Sequence, residues 1–239
     1  MLLRHKVRRY EFHIRLYHNF AEVLTIDPQP EVIAIDIPIG LLDKPQSGGR
    51  ECDRQARKLL GRRASSIFSP PTRSMLNATR YGQVRTHGLS IQAFNLLPKI
   101  REVDRLLTPE LQQRIHEAHP ELAFTSLAGA PMQYNKKTQE GREERQRVLE
   151  PLFHRRGENP TFTPPFAKGG QRGSTMLITS FVQEDFFQNF PRSQVAPDDI
   201  LDAYVLAWTA LRISNRQAKR VPDHPQTDSK GLRMEICFP

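Results

Sequence analysis

Residues 32–35, VIAI, form an unbroken β-branched and apolar run, which predicts a strand covered on both faces of a parallel sheet. Asp36 breaks the run with a charge. Pro38 keeps Ile37 extended and removes a ladder donor, and Gly40 permits a sharp exit. Upstream, residues 10–17 alternate: Tyr10, Phe12, Ile14 and Leu16 stand against Glu11, His13 and Arg15, predicting a half-buried antiparallel strand. Asn19 can cap a short helix to Leu24, and Asp27-Pro28-Gln29-Pro30 turns the chain into the Asp36 strand. This β-α-β order predicts an α/β sheet.

Beyond Gly40 the period changes. Residues 50–60 predict a helix closed by Gly61, with Cys52, Ala56, Leu59 and Leu60 on one face and Arg50, Arg54, Arg57 and Lys58 on the other. Residues 98–107 predict a further helix, opened by Pro98 and striped by Ile100, Val103 and Leu107. Residues 114–124, RIHEAHPELAF, predict the next strand region, and residues 138–153 a strongly charged helix. Residues 155–173, rich in Pro and Gly, predict a loop. Pro197 opens the last helix, to about residue 213, with Leu201, Tyr204, Trp208 and Leu211 as its stripe. Four segments result: 1–42 as the N-terminal part of an α/β core, 43–107 as a helical insertion, 108–213 as the remainder of the core, and 214–239 as a polar tail ending in an edge strand.

Composition narrows the setting. A hydrophobic fraction of 38% can furnish a core, and no run has the roughly 20 apolar residues of a membrane helix. Cys52 and Cys237 are far apart and form no CxxC pair, which points to a reducing cytoplasm and to neither a disulfide framework nor a zinc framework. A formal charge of +9 and a pI near 9.9 favour a polyanionic partner, nucleic acid first.

Candidate chemistry gathers around carboxylates. Asp36 lies where a parallel strand ends, the position at which open α/β sheets hold ligands; its competing reading is an Asp capping its own turn. Strand alternation through residues 114–124 would place Glu117, His119 and Glu121 on one face, with a solvated loop as the alternative for Glu121. In the last helix, Asp198 and Asp199 suit ordinary N-terminal capping, whereas Asp202 lies inside the helix and shares a face with Asp199 at i, i+3. Strand-end and helix-borne carboxylates suit magnesium or manganese, which need only a few hard oxygen ligands; two such ions roughly 4 Å apart support phosphodiester hydrolysis. Arg50, Arg54 and Arg57, at i, i+4 and i+7, would offer guanidinium forks to phosphates, unless they are simply a solvated helix face. Arg73, Lys99, Lys137 and Arg142 are further candidate substrate contacts. His116 and His119 lack the HExxH spacing of a zinc protease, and GxxxxGK[ST], GxGxxG and GxSxG are all absent.

The segments IAIDIPIGL, GGRECDRQARKLLGRRASSIFSPPTR, SIQAFNLLPKIREVD, HEAHPELAF, KKTQEGREER and DDILDAYVLAWTA occur in one order over most of residues 31–213. Together they resemble domain-of-unknown-function family 429, described as predicted nucleases with a ribonuclease H-like fold. The resemblance implies a mixed sheet flanked by helices, three antiparallel strands followed by two parallel ones, and an acidic metal site. On its motifs Asp36 matches the carboxylate of the fourth strand, Glu117 and Glu121 the HPE segment, and Asp199 and Asp202 the last helix. Arg50, Asp53, Arg57 and Arg73 match its arginine-rich segment. Family members usually begin with a central strand bearing a GxD-type aspartate, whereas here no acidic residue precedes Glu11. The expectation is therefore that the N-terminal central strand is missing and that activity requires a longer N-terminus.

The expected function is a magnesium- or manganese-dependent nuclease, with Asp36 and Asp202 as metal ligands and Glu117, Glu121 and Asp199 completing the catalytic set. Two other readings stay open: a non-catalytic nucleic-acid-binding or interaction protein, and a metal-dependent hydrolase of a small phosphorylated metabolite.

Overall fold

A computed structural model describes residues 15–153 and 195–239. Its centre is a short parallel ladder, β1 (Ile33–Ile35) on β2 (Ile115–Glu117), with Ile33 opposite Ile115 and Ile35 opposite Glu117. A parallel bridge from Ala118 to Cys237 carries the ladder on to β4 (Ile236–Phe238). β4 in turn pairs antiparallel with β3 (Lys219–Val221). The architecture is a mixed α/β one with a small parallel sheet at its centre. β1 is half-buried rather than covered on both faces, and β2 is its one ladder partner among the described residues.

The expected strand over residues 10–17 lies mostly outside the described residues. Its end does not: Arg15, Leu16 and Tyr17 are exposed and belong to no strand. The loop expected over residues 155–173 falls outside as well. α1 (Phe20–Leu24) forms where Asn19 caps it, the Asn19 side chain accepting from the Glu22 N–H at 3.0 Å. Everything regular between β1 and β2 is helical: α2 (Glu51–Leu60), α3 (Gly82–Arg85), α4 (Ile91–Leu106) and short 3-10 turns. Leu59, expected on the buried face of α2, is instead 47% exposed, and Asp53 is buried in its place.

Two helix boundaries differ from expectation for clear reasons. α4 begins not at Pro98 but at Ile91, where Ser90 caps it by accepting from the Ala93 N–H at 3.1 Å. The buried stripe Ala93, Leu97, Ile100 and Val103 runs through Pro98, so packing outweighs the lost hydrogen bond. Pro98 is itself exposed. Pro98→Ala should therefore restore that bond and raise stability by roughly 1–3 kcal/mol, read from denaturant unfolding. The second difference is at residues 114–124. The strand stops at Glu117, and His119, with extended backbone, leads into α5 (Pro120–Ala128), where Pro120 occupies the first turn. Proline at the start of a helix is pre-organised for it, and this outweighs the apparent alternation. Glu121 consequently sits on a helix and not on the face of Glu117.

α6 (Gln139–Phe153) and α7 (Pro197–Ser214) complete the helices among the described residues, and α7 packs against β1, α5 and α6. Leu201, Val205, Phe124 and Ala123 form the core beneath it. The tail is built in: β3 lies within it, β4 is buried, and Asp228 accepts from the Leu41, Lys230 and Leu232 N–H groups. Gly40, at φ +76°, makes the exit from the Asp36 loop; a Cβ there would stand 2.7 Å from Met234 Cγ. No helix among the described residues is long and apolar enough to cross a membrane.

Candidate active site

The parallel register brings the ends of β1 and β2 side by side, so Asp36 and Glu117 open onto the same end of the sheet. They lie in different surroundings. Glu117 is buried, and both its oxygens are engaged: Arg50 Nη2 donates to Oε1 at 2.6 Å, while Arg50 Nη1 at 2.8 Å and the Ile39 N–H at 2.6 Å donate to Oε2. Burial pushes the Glu117 pKa up, and Arg50 opposes that.

Arg50 is the keystone of this floor. It is 2% exposed and begins α2. Its Nε and Nη2 also donate to Asp53, and Nη1 to the Ile39 and Gly40 carbonyls at 2.8 and 3.2 Å. All five N–H groups of the guanidinium are thereby used. Burial works against its charge, but Asp53, Cys52 and Glu117 outweigh it and hold the pKa well above the ordinary value. The expected role of Arg50 as a phosphate contact is not the one this geometry gives it, since no donor is left over.

The other basic candidates divide by partner. Arg54 donates to Glu51 and the Gly49 carbonyl, and Arg57 to the Ile67 and Gly48 carbonyls and to Ser69 Oγ. Arg73 joins Asp104 at 2.8 Å and also pairs with Asp228. Arg142 donates to the Lys137 carbonyl at 2.7 Å. Lys99 and Lys137 are exposed. The arginine-rich segment is therefore largely an internal brace, tying α2 to the chain before it at Gly48 and Gly49 and to the chain after it at Ile67 and Ser69. Glu121 is also braced, between Arg63 Nε at 2.7 Å and Arg145 Nη2 at 2.6 Å. Arg145 is wholly buried, with its guanidinium 5.5 Å from the Phe124 ring centroid.

Asp36 makes no hydrogen bond or ion pair with any described residue. It keeps an exposed surface, although protein atoms crowd it on one side, where it lines an open recess with His119, Phe68, Pro38 and the Arg50 floor. That crowding pushes its pKa up, and the charges of His119 and Lys136 pull it back down. His119 sets its Nε2 3.2 Å from the Ser66 carbonyl, and its buried Nδ1 has no hydrogen-bond partner among the described residues.

On the other side of Asp36 stands α7. Lys136 Nζ donates to Asp202 Oδ2 at 2.6 Å and lies 3.6 Å from Asp198 Oδ2. The helix spacing i, i+4 puts Asp198 and Asp202 together. Asp199, expected in this group, is exposed and accepts from the Ala196 N–H at 3.3 Å, so it serves the helix start. Asp198 takes its place, and the cation between the acids is Lys136 rather than its neighbour Lys137. The i, i+4 relation was legible in the sequence, but nothing local distinguished Lys136 from Lys137.

Burial pushes the Asp202 pKa up to about 6; Lys136 lowers it and Asp36 raises it further. An acid with a raised folded-state pKa binds more protons folded than unfolded between about pH 4 and 6, so its share of stability is full below that window and is lost across it. In metal-free buffer, wild type should lose stability relative to Asp202→Asn between pH 4 and 6, by on the order of 2–3 kcal/mol at most, measured by urea unfolding at each pH.

The family model described as "Protein of unknown function (DUF429)" matches residues 3–227, and the chain belongs to that family. No curated protein and no solved structure matches the chain.

Proposed function

We propose that this family member is a divalent-cation-dependent nuclease, hydrolysing phosphodiesters at Asp36, Asp198 and Asp202 on a core of ribonuclease H-like type. The observation that supports this most is that Lys136 Nζ joins Asp202 and Asp198 of α7, while Asp36 lies near enough to Lys136 and Asp202 for their charges to act on one another. The donors fit a hard cation: all are carboxylate oxygens, Asp36 has no protein partner among the described residues, and Asp202 shares only Lys136. Glu117 suits a ligand role less well than Asp36 and Asp202, because three N–H groups of Arg50 and Ile39 already engage its two oxygens.

A bound magnesium or manganese ion would supply polarisation of a phosphate oxygen and a lowered pKa for a bound water. The chain supplies the rest. Asp36 and Asp202 would hold the cation, and Asp198 keeps Lys136 near Asp202. Lys136 offsets the mutual repulsion of the acids and directs an N–H toward an incoming phosphate. The Arg50–Glu117–Asp53 lattice fixes the loop from which Asp36 projects, and the basic surface gathers the polyanion. The direct test is to assay single- and double-stranded DNA, RNA and hybrids with and without magnesium. Magnesium-dependent cleavage of at least one is expected; cleavage of none, in the full natural chain, overturns the reading.

One observation favours a second reading, binding without cleavage: Lys136 already neutralises the acids of α7. That reading predicts salt-sensitive binding with no metal requirement. A small phosphorylated metabolite as substrate would show as magnesium-dependent phosphate release without nucleic-acid cleavage.

A further inference from the structure

A second group of potential ligands lies on the opposite side of β2 from this cleft's arginine floor. The Ala118–Cys237 bridge sets β4 parallel beside β2. Strand alternation then puts His116 and Ala118 on one face, with Glu235 and Cys237 beside them on the same face. A ring nitrogen of His116, a carboxylate oxygen of Glu235 and Cys237 Sγ all lie within 4.8 Å of one another. Ala34, opposite His116 on β1, and Ala118 are both small, so no bulky neighbour on this face separates the three.

We propose that His116, Glu235 and Cys237 form a site for a borderline-soft divalent cation of the zinc type, separate from the acidic cluster at Asp36. The mixed nitrogen, oxygen and sulfur donors suit zinc and not magnesium. Two features prepare it. The His116 ring is half-buried, and its Nδ1 is buried with no hydrogen-bond partner among the described residues. A buried ring nitrogen with no protein partner is open to a metal. Glu235 is 2% exposed and is held by Arg233 Nε at 3.0 Å and Arg220 Nη1 at 3.3 Å. Each carboxylate oxygen keeps a second lone pair for a metal.

Bond lengths of about 2.0–2.3 Å in a tetrahedral site space the donors roughly 3.3–3.8 Å apart, so the present cluster needs an inward movement of at most about 1 Å. As the sulfur–metal bond forms, the Cys237 thiol loses its proton to solvent and His116 binds as the neutral ring. Three protein donors leave the fourth position to water. The two arginines disfavour a cation, and the Cys237 thiolate offsets one of them. The site would clamp the C-terminal strand β4 to β2, and so fasten the end of the chain to the strand that carries Glu117.

The test uses the full chain, stripped with a chelator and titrated with zinc against a chromophoric competitor, then separately loaded with cobalt. One equivalent of zinc is expected, with a thiolate-to-cobalt charge-transfer band in the cobalt form. Cys237→Ser should remove the band and weaken zinc binding by about 100-fold or more, and His116→Gln should weaken it comparably. Circular dichroism checks that both variants are folded. Asp36→Asn should leave zinc binding unchanged, which separates this site from the acidic one. Absence of zinc binding, a cobalt spectrum without the thiolate band, or binding indifferent to both variants would each overturn the proposal.

Discussion

Replacing Arg50 by alanine is expected to destabilise the protein by about 3–5 kcal/mol, the cost of leaving buried carboxylates without their counter-charge. The side chain is 2% exposed and bonds Asp53, Glu117 and two carbonyls at once. Its removal strands Asp53, 1% exposed, and Glu117, 6% exposed, and frees the carbonyls of the loop after Asp36. Against a total of roughly 5–15 kcal/mol, that leaves the fold marginal. Guanidinium chloride unfolding should show a lowered midpoint with an unchanged slope. Arg50→Lys should recover only part of the loss, because an ammonium cannot make the paired contacts of the guanidinium fork. Combining Arg50→Met with Asp53→Asn and Glu117→Gln should be milder than Arg50→Ala, since no stranded charge remains. A loss below about 1 kcal/mol for Arg50→Ala would mean that the lattice contributes little.

The second large effect concerns Asp36. If it holds the cation, Asp36→Asn should lower magnesium-dependent cleavage by roughly 10²–10³-fold, several kcal/mol of transition-state stabilisation. Stability should change little, because the carboxylate makes no contact that the fold needs among the described residues. Asp202→Asn should act in the same direction. Asp199→Asn should act weakly, through the start of α7 alone. Cleavage rates of purified variants, with unfolding midpoints measured in parallel, separate a ligand from a merely structural acid. Unchanged cleavage in Asp36→Asn would remove Asp36 from the mechanism.

These two residues show how the sequence misleads and informs. Asp36 and Arg50 were both candidates for chemistry. Among the described residues, one is open to solvent and unpartnered, and the other has every guanidinium N–H bonded. Both are charged residues near a turn, and nothing in their local pattern separates them. Helical spacing placed Arg50, Arg54 and Arg57 on one face, but whether that face meets solvent or a folded-back loop depends on contacts many residues away. Glu117, 67 positions from Arg50, is one of them. The HPE segment failed differently: its alternation was real, but Pro120 at a helix start was the stronger signal and was on view in the sequence.

What the sequence determined by itself was local. The β-branched run before Asp36, the Asn19 cap, the closure of α2 at Gly61 and the amphipathic stripe of α7 are set by side-chain shape and backbone freedom within a few residues. The tertiary structure decided the rest. It chose Asp198 over Asp199, recruited Lys136, turned the arginine-rich helix inward, and brought Cys237 beside His116. Those outcomes depend on which elements pack together, because a charge takes its role from the partners that burial leaves it.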